Sequence, residues 1–416
     1  MDYNKNKFME RVILHCDLNN FYASVEQKNH PEYQGMPLAV SGNPENRHGI
    51  VLAKNYLAKD AGVKTGEAIW ISKQKCPDII FVPPHFEEYV KYSEIVRSIY
   101  TEFTDRVESF GLDECWLDVT GSLKFFGKTP KELADTIRET VKARTGLTIS
   151  VGVSFTKVLA KLGSDLKKPD ATTILTKSNY MDIIGDMSPS ELIMVGRKTA
   201  EKLKKLNVHT IRQLANASRQ MLRAHFGVVG DHLVDYASGV ERDEVKLYYD
   251  THVPKSISNG TTTPRDIVNM TDAKTVIYAL TELVASRLRK FGLVANGVSL
   301  SIKYAETLEG ISKHTTLEFP TSNALDFAKK AVEMLKEMHA FPTPLRAITV
   351  GAIRLENASV KQLCLFEEGE REDKLETSID QIRNKYGYNS ITRGVVLGNK
   401  LTGNLHEEDG FEPFKR

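Results

Sequence analysis

The sequence is poor in cysteine. Only four of its 416 residues are cysteines, and no two of them form a CxxC pair: Cys16, Cys76, Cys115 and Cys364. This spacing argues against a disulfide framework and against a cysteine zinc site. We expect the thiols to be small buried side chains in a reducing compartment, which predicts a cytoplasmic protein.

Long apolar runs are also missing. No stretch approaches the roughly 20 consecutive apolar residues of a membrane-spanning helix. Residues 1–7 (MDYNKNK) lead into an apolar run too short and too interrupted for a signal peptide. With 41% hydrophobic and 26% charged residues, the composition is that of a globular protein without a membrane role. The length predicts about two to four domains.

The chain has almost no excess of charge of one sign, because its formal net charge is only +2. The distribution of charge is more informative. Glu201 is the sole acidic residue in a segment that contains Arg197, Lys198, Lys202, Lys204, Lys205, Arg212, Arg219 and Arg223. Such a cluster is typical of a surface that binds a polyanion. A solvated helix face is an equally good explanation from charge alone.

Strands and helices alternate in the first part of the chain. Apolar periodicity predicts helices at 21–28, 85–104 and 130–145, and strands at 11–16, 36–40, 49–53, 79–82, 106–110, 114–119 and 148–154. The order strand, helix, strand, strand, helix, strand predicts a ferredoxin-like unit interrupted by an insertion. The fold class is therefore expected to be α+β.

Short helices follow from about residue 179. We predict one that opens at Ser188, one at 200–206 and one from Thr210. Helices are predicted on both sides of the turn at Gly196, and they carry the basic cluster. This pattern suggests a helix-hairpin-helix that binds phosphates through backbone N–H groups. A plain helical bundle is the alternative.

The remaining chain is predicted to form a second α/β unit. Residues 244–258 are polar, carry Pro254 and are expected to act as a linker. The pattern then predicts helices at 271–293 and 324–338, and strands at 297–304, 315–319 and 346–355. After residue 357 the chain becomes a tail whose stretch 367–373 is too charged for a core.

Carboxylates lie at the edges of two apolar, strand-like segments. Asp17 ends the run 12–16, and Asp113 and Glu114 precede an apolar strand. Converging carboxylates can hold two Mg²⁺ ions that coordinate the attacking and leaving oxygens of a phosphoryl transfer. Neighbours on a regular strand point to opposite faces, so Asp113 and Glu114 can share a site only at a strand end or bulge, which Gly111 favours. Asp118 is better explained as a strand-end residue that bonds backbone.

Aromatic and basic side chains accompany these carboxylates. Phe21 and Tyr22 follow the Asp17 strand, where an aromatic ring could pack under the sugar of a nucleotide, although a core aromatic is the simpler explanation. Tyr56, Lys59 and Lys168 lie near predicted element ends. Lysines in such places can reach phosphate as point charges, and each by itself is more commonly a surface lysine.

Taken together, four segments resemble the bacterial type of Y-family, lesion-bypass DNA polymerase. They are residues 17–26 (DLNNFYASVE), 55–59 (NYLAK), 112–118 (LDECWLD) and 159–169 (LAKLGSDLKKP). The resemblance covers nearly the whole chain. Asn19 and Lys59 depart from the DinB-like branch, which usually has aspartate and arginine there, and lysine at position 59 is similar to the UmuC branch. Ala53 lacks the hydroxyl that many relatives have.

The resemblance implies a right-hand polymerase and a set of residue roles. Asp17, Asp113 and Glu114 would be catalytic and would hold two Mg²⁺ ions with the Leu18 carbonyl. Tyr22 would be the steric gate against ribonucleotides, and the other nucleotide contacts would be Phe21, Tyr56, Lys59 and Lys168. DNA contacts would include Gly196, Arg197, Lys198 and Lys202.

The resemblance also implies a division of the chain into domains. The palm would comprise residues 1–19 and 85–175, and the small fingers 20–84. The thumb would be 176–243, the linker 244–254, the little finger 255–357 and the tail 358–416. The implied substrates are primer–template DNA and deoxynucleoside triphosphates, and a monomer is expected.

Residues 361–366 (KQLCLF) resemble the peptide that bacterial polymerases insert into the sliding clamp. The apolar anchors would be Leu363, Leu365 and Phe366, and Gln362 the polar one. An ordinary last strand is the alternative explanation for so short a match.

These observations predict an error-prone, clamp-tethered translesion DNA polymerase. Two rivals are a clamp-bound protein that holds damaged DNA without extending it, and another two-metal palm enzyme such as a nucleotidyl cyclase. The intact carboxylate trio argues against the first rival. The basic helices and the clamp-like peptide argue against the second, because a cyclase needs neither.

Overall fold

The computed structural model describes residues 11–42, 49–241, 243–250, 254–358, 369–398 and 401–402. It divides into two compact units. In the described ranges, the first unit contains residues 11–41, 51–241 and 243–250, and the second contains residues 42, 49–50 and those from 254 onward. Across these ranges we find no helix with the length and apolarity needed to span a bilayer.

The described part of the first unit contains eight strands and twelve α-helices. The strands are β1 (Ile13–Leu18), β2 (Leu38–Ser41), β3 (Val51–Lys54), β4 (Ile80–Val82), β5 (Val107–Ser109), β6 (Glu114–Asp118), β7 (Ile149–Ser154) and β8 (Thr172–Ile174). The helices are α1 (Phe21–Asn29), α2 (Tyr56–Asp60), α3 (Ile69–Lys75), α4 (Phe86–Thr101), α5 (Ser122–Phe126), α6 (Pro130–Thr145), α7 (Lys157–Leu166), α8 (Tyr180–Ile184), α9 (Arg197–Lys205), α10 (Ile211–Ala215), α11 (Arg219–Phe226) and α12 (Val228–Ala237).

The larger sheet of this unit has the order β5-β6-β1-β7-β8. The pairs β5–β6, β6–β1 and β1–β7 are antiparallel, and β8 adds a parallel edge strand. With α4 and α6 as the crossing helices, this order confirms the predicted ferredoxin-like unit. All six residues of β1 and of β7 are buried, so the polar side chains of these central strands need partners inside the protein.

Helix α7 approaches the sheet unusually closely at one glycine. A Cβ on Gly152 of β7 would lie 2.0 Å from the Ala160 carbonyl oxygen and 2.4 Å from the Ser164 amide nitrogen. Gly163 on the helix faces the Cα of Gly152 in turn. Only glycine permits this contact, and it brings the side chains of α7 within reach of β1.

The insertion after β1 folds as a three-stranded sheet of order β3-β2-β4. Asn55 ties this sheet to α2. Its side-chain oxygen accepts from the amides of Ala58 (3.1 Å) and Leu38 (3.0 Å), and its amide group donates to the Met36 carbonyl (2.7 Å). As the N-cap of α2, Asn55 fixes where Tyr56 begins the helix.

The helical region differs from the prediction at its start. The helix expected from Ser188 is only a 3₁₀ turn, Pro189–Glu191, because Leu192 is extended and Met194 takes a positive φ of 71°. The predicted helix at 200–206 is α9, which begins three residues earlier, after Gly196.

The first residues of the predicted linker pack against the first unit. Val245 is fully buried and packs with Ile13, Trp116 and Ala160. The amide of Lys246 donates to Glu108 Oε2 at 3.1 Å. Residues 244–250 therefore belong structurally to the first unit, in agreement with the division of the chain.

The second unit is an antiparallel sheet of order β11-β10-β12-β9, with helices that share its core. The strands are β9 (Ser256–Ile267), β10 (Leu293–Tyr304), β11 (Gly310–Thr321) and β12 (Leu345–Asn357), and the helices are α13 (Met270–Lys290), α14 (Ala324–Met338) and α15 (Gly369–Tyr386). Sequence periodicity missed β9, because it is polar and carries Gly260 and Pro264. Both residues are tolerated in this edge strand.

The segment predicted as a charged tail contains α15, which is joined to α13 by buried ion pairs. Arg383 Nη1 lies 2.8 Å from Glu282 Oε2, and both side chains are almost fully buried. Arg289 pairs with Glu376 (3.0 Å) and with Asp380 (2.6 Å). The prediction of a tail after residue 357 is therefore wrong for residues 376–383, where pairing across two helices offsets the cost of burial.

Candidate active site

Two carboxylates face each other across the central strands of the first unit. Asp17 on β1 is the register partner of Glu114 on β6, and Asp17 is only 5% exposed. Asp113 lies just before β6, in the bend that contains Gly111 at φ 88°. The Leu18 amide donates to the Asp113 carbonyl at 2.9 Å and holds this bend against β1. The bend is the break in strand alternation that the sequence analysis required.

Two lysines of the α7 region neutralise these carboxylates. Lys161 Nζ lies 2.9 Å from Glu114 Oε1 and 3.5 Å from Asp17 Oδ2. Lys168 Nζ lies 2.7 Å from Asp17 Oδ2. Asp165 accepts from both, at 3.2 Å from Lys161 and 2.9 Å from Lys168. The structure thus brings the predicted Lys168 to the carboxylates and adds Lys161, which had no predicted role.

Burial and mutual repulsion shape the titration of the trio. Burial, with the charges of Glu114 and Asp17, raises the pKa of Asp113 to about 6. Burial also raises the pKa of Asp17, although the neighbouring lysines oppose the shift. Burial alone would raise the pKa of Glu114, but His15 and the nearby lysine outweigh it and lower that pKa. The site therefore concentrates negative charge that cationic groups must balance.

The residues at this site fit a hard cation. Within the described ranges, no three His, Cys, Asp or Glu side chains are already arranged to hold a metal ion. Lysines engage two of the carboxylates, Glu114 and Asp17. The donor set is nevertheless made of oxygens, which Mg²⁺ prefers. Glu114 Oε2 is buried and has no hydrogen-bond partner in the described part of the chain. A cation that replaced the ammonium groups would find the oxygens of three carboxylates.

An aromatic stack flanks the carboxylates. The ring of Tyr22 stacks on Tyr89 with centroids 4.2 Å apart and planes 9° apart. The Tyr89 hydroxyl donates to Glu26, which is 2% exposed and also lies 3.0 Å from His85 Nδ1. Burial and the charge of Asp113 raise the pKa of Tyr22 to about 12, so this phenol is neutral at neutral pH. Tyr22 is therefore held rigidly beside the trio.

Phe21 is the less accessible of the two predicted aromatic contacts. It is 3% exposed, and its ring centroid lies 5.5 Å from that of Tyr22. Phe21 is therefore buried behind the ring of Tyr22.

The remaining predicted nucleotide contacts lie on and around α2. Burial raises the pKa of Tyr56, and the charges of Lys168 and Asp17 both act on it. Lys59 Nζ lies 5.5 Å from the centre of the Tyr56 ring. Burial and the charge of Lys59 lower the pKa of Lys54, a residue without a predicted role. The structure thus gathers the predicted residues and reveals a further lysine beside them.

Sequence reasoning also missed His15 and Ser164. His15 is fully buried on β1, and its Nδ1 lies 2.8 Å from Ser164 Oγ on α7. Burial lowers the pKa of His15. A polar residue inside an otherwise apolar run beside Asp17 was the available signal. Its partner could not be identified without the packing of α7 on the sheet.

The predicted DNA contacts differ in accessibility. Arg197 has a side chain 87% exposed at the start of α9, next to exposed Gly196 and Lys198. Lys202 instead donates to the His225 carbonyl and lies over the ring of Phe226 at 4.8 Å. Lys202 therefore joins α9 to α11, which sequence reasoning did not anticipate.

Two other predictions concern positions away from the trio. Asp118 Oδ1 accepts from the Thr120 amide at 3.0 Å, which is the strand-end role expected for it. Gln362, Leu363, Leu365 and Phe366 lie outside the described residues.

The chain is similar to known proteins over nearly its full length. Residues 16–165 match the model of the impB/mucB/samB family, and residues 254–365 match that family's C-terminal domain. DNA polymerase IV of Acetivibrio thermocellus is 44% identical over 394 residues, which cover 94% of this chain and 98% of that protein. DNA polymerase IV 1 of Bacillus subtilis is 33% identical, with coverage of 98% and 99%.

A solved structure supports the fold. The Y-family DNA polymerase chimera Dbh-Dpo4(243-245)-Dbh superposes with a TM-score of 0.72 at 23% identity, over 83% of this chain and 99% of that chain.

The fold and these similarities define a DNA-directed DNA polymerase of the translesion type. The predicted α+β, right-hand polymerase class is thereby confirmed. More particularly, the chain belongs to the impB/mucB/samB family, as a DinB-like member of the Y family.

Proposed function

We propose that this polymerase adds deoxynucleotides to a primer 3′-hydroxyl by two-metal phosphoryl transfer. The observation that carries the proposal is the pairing of Asp17 with Glu114 across β1 and β6, with Asp113 in the adjoining bend. These three carboxylates, with the Leu18 carbonyl, would hold two Mg²⁺ ions. Bound there, the ions would activate the primer hydroxyl and stabilise the leaving pyrophosphate. The protein's own contribution is to position charge.

The incoming nucleotide would lie between the trio and α2. Lys168 and Lys59 would bind its triphosphate as point charges, with Tyr56 beside them. Tyr22 would exclude the 2′-hydroxyl of a ribonucleotide, and Phe21 would support it. Lys168 is now paired with Asp17, so cation binding at the carboxylates would release it toward phosphate.

We assign the domains as the resemblance implied, with palm at 1–19 and 85–175, fingers at 20–84, thumb at 176–243 and little finger at 255–357. The exposed start of α9 at Gly196, Arg197 and Lys198 would bind template–primer phosphates. Small fingers would leave room for distorted template bases, at the expense of fidelity. We propose a monomer that acts in the cytoplasm.

The test is primer extension by the purified chain on undamaged and lesion-bearing templates, with Mg²⁺ and with a chelator. Mg²⁺-dependent extension past a lesion is the expected result. DNA binding without extension would favour the non-extending binding module instead.

Ionisation of Asp113 should destabilise the metal-free protein. Its carboxyl has a pKa of 3.8 ordinarily and about 6 here, so the folded state binds the extra proton and stability falls as pH rises from about 4 to 6. Asp113→Asn removes this cost. We expect about 3 kcal/mol of added stability at pH 7.5 without divalent cations, and a difference that disappears below about pH 4.

Denaturation in chelator at several pH values measures the effect of this substitution. Asp78→Asn, at an exposed position, is the matched control and should change stability little at any pH. An advantage of Asp113→Asn that grew as pH fell would show that burial does not raise this pKa.

We also propose that residues 361–366 tether the enzyme to a sliding clamp. Because Leu365 and Phe366 would be the apolar anchors, replacing both with alanine should weaken binding to the clamp by about a hundredfold, at ~1.4 kcal/mol per tenfold. Surface plasmon resonance against an immobilised bacterial clamp measures this. Extension without clamp should not change, and undiminished clamp affinity would contradict the assignment.

A further inference from the structure

His15 occupies an unusual place in the central strand. It is fully buried, and its register partners are Trp116 on β6 and Gly152 on β7. Its ring meets the edge of Trp116 at 5.3 Å, which fixes the plane of the imidazole. A buried polar side chain in such a strand must be partnered, and each ring nitrogen of His15 has a polar neighbour.

One ring nitrogen faces a predicted metal ligand. His15 Nε2 lies 3.3 Å from Glu114 Oε2. Both atoms are buried, and in the described part of the chain neither has a well-aligned hydrogen-bond partner. The other oxygen of this carboxylate, Oε1, is bound by Lys161 at 2.9 Å. The two oxygens of Glu114 therefore face different groups.

The chemistry of the carboxylate decides the tautomer of His15. An ionised carboxylate only accepts hydrogen bonds, so a hydrogen bond from His15 to Glu114 requires the proton on Nε2. Nδ1 must then accept from the Ser164 hydroxyl, which lies 2.8 Å away. Ser164 Oγ also lies 2.8 Å from the Lys161 carbonyl, and its single proton serves one acceptor at a time.

We propose that His15, supported by Ser164, is a positioning residue that fixes the rotation of the Glu114 carboxylate. With Oε2 held by Nε2–H, Oε1 is aimed at the position that Lys161 now occupies. This inference rests on the proposed two-metal function. A modest turn of Glu114, when a cation replaces the Lys161 ammonium group, would complete the hydrogen bond that is now 3.3 Å long and misaligned.

The close approach of α7 makes the arrangement possible. Gly152, the register partner of His15, is the residue whose missing side chain lets α7 lie against the sheet. That contact sets the distance from Ser164 to His15. The same helix carries Lys161, so one packing contact positions both Lys161, which binds Glu114, and Ser164, which binds His15.

The test compares two replacements of His15 in the full-length chain. His15→Phe keeps the ring and its contact with Trp116 but removes the donor. His15→Gln places an amide N–H near the position of Nε2 and should restore the interaction. The background is Trp70→Phe, which leaves Trp116 as the only tryptophan and as the sensitiser of Tb³⁺ luminescence.

We expect His15→Phe to weaken Tb³⁺ binding about ten- to a hundredfold, while His15→Gln stays within a few-fold of the parent. In Mg²⁺-dependent extension, kcat should fall for His15→Phe with little change in the KM for the nucleotide. Unchanged Tb³⁺ affinity in His15→Phe, or equal losses in both variants together with lowered melting temperatures, would overturn the proposal.

Ser164→Ala provides a second measurement if His15→Phe does not fold. It removes the group that orients the imidazole and should weaken Tb³⁺ binding in the same direction. Unchanged Tb³⁺ affinity in Ser164→Ala would then overturn the proposal. A parent enzyme without Mg²⁺-dependent extension would instead refute the proposed function, so the two failures are distinguishable.

Discussion

Replacing Asp113 and Glu114 with alanine is expected to lower primer extension by at least about a thousandfold. Each metal ion stabilises transition-state charge by several kcal/mol, and about 4 kcal/mol corresponds to a factor of about a thousand. Alanine at both positions leaves Asp17 as the last carboxylate of the trio, opposite an apolar side chain on β6. Single-turnover extension with Mg²⁺ measures the loss.

The control for this prediction is Asp118→Ala. Asp118 lies at the far end of the same strand and bonds the Thr120 amide, so its removal should change extension only a few-fold. A gel-shift assay should show that the double variant still binds primer–template, because the thumb is intact. Extension that survived the double substitution would refute the assignment of these carboxylates.

Tyr22→Ala should lower discrimination against ribonucleotides about a hundredfold, because selection by steric fit in a pocket is worth about that much. The physical reason is rigidity. The Tyr22 ring is stacked 4.2 Å from Tyr89, whose hydroxyl is bonded to buried Glu26, so it cannot swing away from a 2′-hydroxyl. The measured quantity is the ratio of kcat/KM for deoxy- and ribonucleoside triphosphates of the same base.

Two companion variants sharpen the second prediction. Tyr22→Phe keeps the ring and should keep the discrimination, since the ring does the excluding. Tyr92→Ala removes a tyrosine of the same helix as Tyr89, one that instead lies under Lys28, and should leave the ratio as it is. If Tyr22→Ala leaves the ratio unchanged, Tyr22 is not the gate.

The sequence predicted most of the regular elements and the nearness of the acidic motifs to strand ends. It failed where tertiary contacts outweigh composition. Polar β9 was missed because an edge strand needs little apolar periodicity. The start of the linker was expected to be free, although Val245 is fully buried. The charged segment after residue 357 contains a helix whose acidic and basic side chains pair with α13.

The amino-acid sequence by itself determined the family, the α+β class and the candidate residues Asp17, Asp113 and Glu114. These depend on local patterns, because apolar periods and short motifs are properties of neighbouring residues. Only the tertiary structure decided which groups meet them. Lys161 reaches Glu114, and Ser164 reaches His15, because Gly152 lets α7 lie against the sheet, a contact between segments far apart in the chain. Such contacts depend on packing at atomic distances, which local patterns do not encode.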